Sequence, residues 1–191
     1  MSDIATETAG SRSGRSMRAV VTVLVGVALM TLAAKVQIPF WPVPMTLHTL
    51  AVMAFALVLG PRPAVAIFLT YLAAGAAGLP VFSGSPERGV GLAYIVGPTG
   101  GYLAGYLVAS WLVGALARGR GFFGQVGAML AGMMAIYGLG LAWLAIYVPI
   151  DGLLAAGLWP FLLGDLVKIG VVAAASVALP VARIRLRGDR E

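Results

Sequence analysis

The sequence predicts an all-α membrane protein of six transmembrane helices with both termini in the cytoplasm. Three observations predict it. Hydrophobic residues fill 60% of the 191 positions and charged residues only 10%, a balance outside the range of water-soluble domains. The apolar residues fall into six runs, at 17–36, 46–59, 64–79, 99–117, 122–148 and 158–179. Lysines and arginines gather on alternate connections between those runs.

Residues 1–16 are mostly Ser, Thr, Gly and Arg with little to bury, which predicts a disordered cytoplasmic tail. Thr31-Leu32-Ala33, in the run after Arg18, resembles a signal cleavage site. The run is longer than a usual signal core and further spans follow it, so it is read as a retained helix. Turn residues separate the runs: Pro39, Pro42 and Pro44; Gly60-Pro61-Arg62-Pro63; a Gly-rich stretch at 80–98; Arg118-Gly119-Arg120-Gly121; and 149–157. Each run must be helical, because lipid cannot satisfy open backbone groups. One membrane domain over 17–182 follows, with a basic cytoplasmic tail at 183–191 and no convincing repeat.

Charge sets the direction. With the N-terminus inside, the inner segments hold Arg12, Arg15, Arg18, Arg62, Arg118, Arg120, Arg183, Arg185, Arg187 and Arg190. The outer segments hold only Lys35 and Arg88, and Lys168 lies within a span. This asymmetry places a multi-pass chain in the cell membrane with both ends cytoplasmic. The net charge of +6 forms no stripe suited to nucleic acid and reads as topology and headgroup contact. Without cysteine there is no disulfide or thiolate chemistry, and a single histidine makes no ordinary metal site.

Against that apolar background, Asp165 and Lys168 stand out in the sixth run. An Asp or Lys at a helix centre costs roughly 2.5–3.5 kcal/mol on insertion scales. At a spacing of three they share one helical face and can reach each other. Entering from outside, the sixth helix carries Asp165 about 10 Å below its outer end, with Lys168 one turn deeper. The pair serves either a polar ligand or only as a clamp that orients helices.

The second and third runs, at about 14 and 16 residues, rise only about 21–24 Å against roughly 30 Å of hydrocarbon. The first and second outer loops are rich in Pro, Gly and aromatics, and are expected to fold over an outward-facing depression. Thr46 is a candidate N-cap of the second helix, with His48 in its first turn as a helix-terminus or ligand contact. Gly97-Pro98-Thr99-Gly100-Gly101-Tyr102 opens the fourth helix, where Thr99 can cap and free N–H groups can meet an acceptor. Gly97, Gly101 and Gly105 also recur every four residues, the pattern of close helix packing. Phe40, Trp41, Phe82, Tyr94, Tyr147, Trp159 and Phe161 read as an interfacial belt or as walls of a pocket. Arg88 beside Glu87 is either a solvated pair or a cap over an anion.

Four motifs occur in order: Pro44-Met45-Thr46-Leu47, Gly78-Leu79-Pro80-Val81-Phe82, Gly97-Pro98-Thr99-Gly100-Gly101-Tyr102 and Gly164-Asp165-Leu166-Val167-Lys168. Together they resemble the BioY family of biotin-binding substrate (S) components of energy-coupling-factor transporters, across roughly residues 34–169. The resemblance implies an S-component bundle that captures biotin from outside with high affinity. It also implies a transmembrane coupling protein and cytoplasmic ATPase subunits as partners, with biotin as cargo and no cofactor. The chain itself carries no Walker A motif. The family's Asp-x-x-Lys element falls on Asp165 and Lys168, which it implies meet biotin's polar ends. Tyr102, Phe82, Arg88, His48, Thr46 and Gly101 complete the expected site. His48 departs from the family, where Gln is frequent, and on the first helix Gly26, Ala33 and Ala34 are present without the clean small-residue ladder that docking to the coupling protein implies. The rivals are an S component for another vitamin, a structural membrane protein, and an intramembrane serine protease built on Ser83-Gly84-Ser85 and His48.

Overall fold

The computed structural model describes residues 3–38 and 41–178, with side chains from residue 16 onward except Ile38. The chain forms α1 (Asp3–Lys35), β1 (Gln37–Ile38), β2 (Met45–Thr46), α2 (His48–Leu59), α3 (Pro61–Ala76), α4 (Gly91–Ile95), α5 (Gly100–Leu116), α6 (Phe122–Leu144), α7 (Ile150–Gly157) and α8 (Trp159–Ala178). Helices α1, α2, α3, α5, α6 and α8 fall on the six apolar runs. Among the described residues, three stretches are long and apolar enough to cross a membrane: Ser16–Lys35, Phe122–Leu144 and Ile150–Ala178.

Several boundaries differ from expectation, each for a local reason. The tail expected at 1–16 is helical from Asp3, because extending a helix fixes one residue per new bond and avoids a second nucleation. Helix α3 begins at Pro61, three residues before the predicted run, since prolines in a first turn forfeit only N–H groups that have no helical partner. Gly60, at φ +81°, makes the turn from α2 possible. The stretch at 149–157, expected as a loop, holds α7, with Asp151 in its first turn. Pro160 then falls in the first turn of α8, where a ring is tolerated. The first connecting loop, residues 36–47, closes on a two-residue antiparallel ladder that pairs Gln37 with Thr46 and Ile38 with Met45. Phe40 and the basic residues at 183–190 lie outside the described residues.

Helix α2 lies at the centre, in contact with α1, α3, α5, α6 and α8, while α5 packs most extensively on α6. That contact is built on small residues. A Cβ on Gly105 would come within 2.6 Å of Ile136 Cα, and one on Gly101 would overlap Trp143 and the Leu139 carbonyl. The core is Met30, Met53, Ile67, Phe68, Tyr71, Met129 and Ile136, all almost fully buried. Leu24, Met134, Leu163, Val167 and Val171 instead point outward, the inverse pattern that a lipid solvent allows.

The connections sort to two ends. Lys35 Nζ donates to Ser85 O at 2.7 Å, Arg88 Nη1 to Pro42 O at 3.3 Å, and Trp143 Nε1 to Gly97 O at 2.9 Å. Loops 36–47 and 77–99 and the α6–α7 junction therefore share one end. At the other end, Gly114 abuts Pro61, and the Arg118 guanidinium lies beside Gly60. Lys35 and Arg88 thus stand at one end, and Arg62 and Arg118 at the other.

Candidate binding site between the helices and the connecting loops

A cavity of about 40 Å³ lies under the loop-rich end, walled by α2, α5, α6, α8 and the first connecting loop, with Ser83 and Tyr94 from the second. Helix α8 supplies Phe161, Asp165 and Lys168 on one face, as the spacing of three dictates. Lys168 Nζ donates to Asp165 Oδ1 at 2.7 Å and to the Thr46 carbonyl at 2.6 Å. Tyr137 Oη donates to Asp165 Oδ2 at 2.8 Å. Hydrogen bonds to charged groups contribute about 1.5–3 kcal/mol each, so three of them are of the size needed to offset the insertion cost of the pair. The Asp165 side chain is 7% exposed and that of Lys168 12%, and both residues line the cavity.

Of the residues singled out in the sequence, Asp165, Lys168, Thr46, His48 and Tyr102 line this cavity. Thr46 departs from the expected cap. The N-cap position is Leu47, and Thr46 Oγ1 accepts the His48 N–H at 3.3 Å from one residue further out. Its hydroxyl also lies 2.9 Å from His48 Nδ1. Tyr102 Oη donates to Gly157 O at 2.7 Å, tying α5 to the α7–α8 junction. Thr99 occupies the N-cap of α5 without a side-chain cap bond, because its helical φ/ψ of −85°/−8° lacks the extended geometry that aims a hydroxyl back. It lines the cavity instead.

Phe82, Arg88 and Gly101 do not line the cavity. Phe82 is fully buried behind it, stacked on Tyr94 at 4.6 Å and edge-on to Tyr71 at 5.4 Å. Gly101 is consumed by packing against α6. Arg88 lies over the Trp41 ring at 5.8 Å and lines a separate depression nearer the surface with Glu87 and Pro98. Tyr94 and Thr99 belong to both spaces and form the partition between them. Tyr94 Oη donates to Ser83 O at 2.8 Å, and burial pushes its phenol above the ordinary range, so it stays a neutral donor.

The cavity also recruits Thr49, Tyr106 and Tyr137, which the sequence reading passed over. Signals existed. Tyr102 and Tyr106 share a face of α5, and Tyr137 is the one polar-tipped side chain of α6 between Gln125 and Trp143. The serines and histidine considered for a protease are not hydrogen-bonded to one another, although Ser83 and His48 both line the cavity. Both His48 ring nitrogens are engaged by Thr46 and Tyr71, Ser83 Oγ bonds Gln37, and Ser85 Oγ donates to Phe82 O. Among the described residues no cluster of His, Cys, Asp or Glu could hold a metal.

Comparison with known proteins agrees with the sequence resemblance. The family model described as "BioY family" matches residues 6–185. A protein of Pyrococcus horikoshii named "Probable biotin transporter BioY" is 36% identical over 163 residues, 85% of this chain and 92% of its own. "Biotin transporter BioY" of Thermotoga maritima is 36% identical over 172 residues, 89% of this chain and 99% of its own. A solved structure of the S component for biotin from an ECF-type ABC transporter superposes with a TM-score of 0.75 at 24% identity, covering 90% of this chain and 93% of that one. That likeness fixes the fold, and the family match extends over nearly the whole sequence. The chain belongs to the BioY family.

Proposed function

We propose that the protein captures biotin from the outer side of the cytoplasmic membrane, as the substrate-binding component of an ECF-type uptake system. The observation that carries this reading is the Asp165–Lys168 pair, buried in a lipid-facing bundle yet opening into a cavity beneath two folded loops. Biotin presents a carboxylate, a ureido group that both donates and accepts, and an apolar ring and chain. The cavity presents a cation at Lys168, acceptors at Asp165 and Thr46, and the apolar faces of Tyr102, Tyr106 and Phe161.

In this reading six helices span the membrane with both termini inside and the loop-rich end outside. The separation of Lys35 and Arg88 from Arg62 and Arg118 supports that orientation. The charged tail at 183–191 is then cytoplasmic. Energy comes from a transmembrane coupling protein and ATPase subunits, since the chain carries no nucleotide-binding motif. The reading involves no covalent chemistry and no cofactor. Titration of the purified protein with biotin, followed by calorimetry or tryptophan fluorescence, tests it. Saturable binding is expected, and its absence in folded protein overturns the proposal.

One observation favours a second reading. The Lys168 ammonium donates within the protein, to Asp165 and to the Thr46 carbonyl, as a purely structural clamp would. Removing both charges together separates the two readings.

A further inference from the structure

Four polar groups connect the cavity wall to the second connecting loop without a break. His48 is 4% exposed and Tyr71 fully buried, both within the core of the bundle. Thr46 Oγ1 lies 2.9 Å from His48 Nδ1, His48 Nε2 lies 2.9 Å from Tyr71 Oη, and Tyr71 Oη lies 3.3 Å from the Val81 carbonyl. Thr46 lines the cavity, and Val81 lies in the second connecting loop, which carries Arg88 and the lining residue Ser83.

Donor inventory fixes the direction of this chain. A carbonyl only accepts, so the single proton of Tyr71 goes to Val81 O. Tyr71 Oη must then accept, which places the proton of neutral His48 on Nε2. Nδ1 is left as an acceptor and takes the Thr46 hydroxyl proton. This tautomer is assigned from the network, and each side-chain proton in it is donated once. The alternative tautomer makes Tyr71 donate to Nε2 and strands the Val81 carbonyl. Ring contacts hold the histidine in place, with Tyr71 at 5.6 Å and 66° and Tyr106 at 5.3 Å and 32°.

We propose that His48 is a positioning residue for ligand binding: the chain Thr46–His48–Tyr71–Val81 ties the cavity wall to the second connecting loop, so that both loops cover the cavity as one unit. This inference rests on the ligand-binding reading of the cavity. Thr46 is the junction. Its carbonyl is held by Lys168 and its hydroxyl by His48, so the site's cation and the far loop act on the same residue. A displacement at Thr46 on ligand entry is thereby passed to Val81 rather than absorbed locally. Phe82, the next residue, packs edge-on against Tyr71 and face-on against Tyr94, which carries the same movement to the other cavity wall.

The test uses the full chain in nanodiscs with His48→Ala, His48→Gln and Tyr71→Phe. Glutamine keeps an acceptor at one position and a donor at the other, whereas Tyr71→Phe deletes only the last link. Hydrogen exchange is read at Ser85, Arg88 and Gly89, whose N–H groups bond to Phe82 O, Gly84 O and Pro86 O within the loop. Loss of one link is expected to speed this exchange about tenfold in His48→Ala and Tyr71→Phe, with biotin Kd rising by a similar factor. His48→Gln is expected to return both toward wild type. Unchanged exchange and Kd in folded Tyr71→Phe overturn the proposal, and so does a fall in melting temperature alone. Should His48→Ala not fold, Tyr71→Phe carries the test by itself. If the wild type binds no biotin, the functional reading fails while the exchange data still decide the relay.

Discussion

Replacing Asp165 with asparagine and Lys168 with methionine, singly and together, separates a ligand site from a helix clamp. In Lys168→Met alone, Asp165 keeps only the Tyr137 hydroxyl as a partner, and the Thr46 carbonyl loses its ammonium donor. Removing one member of a buried pair costs about 3–5 kcal/mol, because the remaining charge is left in a low-dielectric setting. The double variant removes that penalty. The asparagine amide oxygen in Asp165→Asn can still accept from Tyr137, and methionine fills much of the lysine volume. Stability should therefore return to within about 1 kcal/mol of wild type. Binding should not return. Losing one charge-assisted hydrogen bond, about 1.5–3 kcal/mol, weakens biotin by roughly ten- to more than a hundredfold. Thermal unfolding measures the first quantity, and calorimetric titration in nanodiscs the second. A double variant that melts like wild type and binds biotin with wild-type Kd would refute the site assignment and leave the pair as a clamp.

The same geometry makes three other outcomes measurable. Tyr137→Phe leaves Asp165 with one partner fewer and should weaken biotin binding about three- to tenfold, measured by titration of the folded variant. Gly105→Val brings a branched side chain against the Ile136 backbone and should destabilise the α5–α6 contact by at least about 1–3 kcal/mol; an unchanged melting temperature would argue against close packing there. For orientation, a membrane-impermeant maleimide added outside cells should label Glu87→Cys and spare Arg120→Cys, both at exposed positions. The opposite pattern would invert the proposed topology.

How much of this is legible in the sequence depends on the physics behind each feature. The six helical runs are readable because lipid forces every apolar stretch to satisfy its own backbone, so hydropathy and turn residues locate the helices. Helix ends are less readable. Pro61 and Pro160 look like breakers in a sequence, yet each lies in a first turn, where no helical N–H bond is lost. The amphipathic α7 hides in a stretch that reads as a loop because Gly152 and Gly157 frame it.

For the site, Asp165 and Lys168 announce themselves by cost alone, since a charged pair in an apolar run has no cheap explanation. Their spacing also settles that they share a helical face. Nothing local to α8 says what else meets them. Thr46 is 122 positions from Lys168 in sequence and reaches it only because the first connecting loop folds across the bundle. Tyr137 and Tyr106 become wall residues only through the α5–α6 packing that Gly101 and Gly105 permit. The same packing removes Gly101 from the cavity, while Phe82 withdraws behind Tyr94 and Arg88 moves to an outer depression with Trp41. Composition and periodicity determined a lipid-facing helical bundle with a polar pair inside it, because those depend on solvent and helix geometry. Which polar side chains converge on that pair was decided by tertiary packing, because hydrogen bonds and van der Waals contacts act over a few ångströms and join residues far apart in the chain.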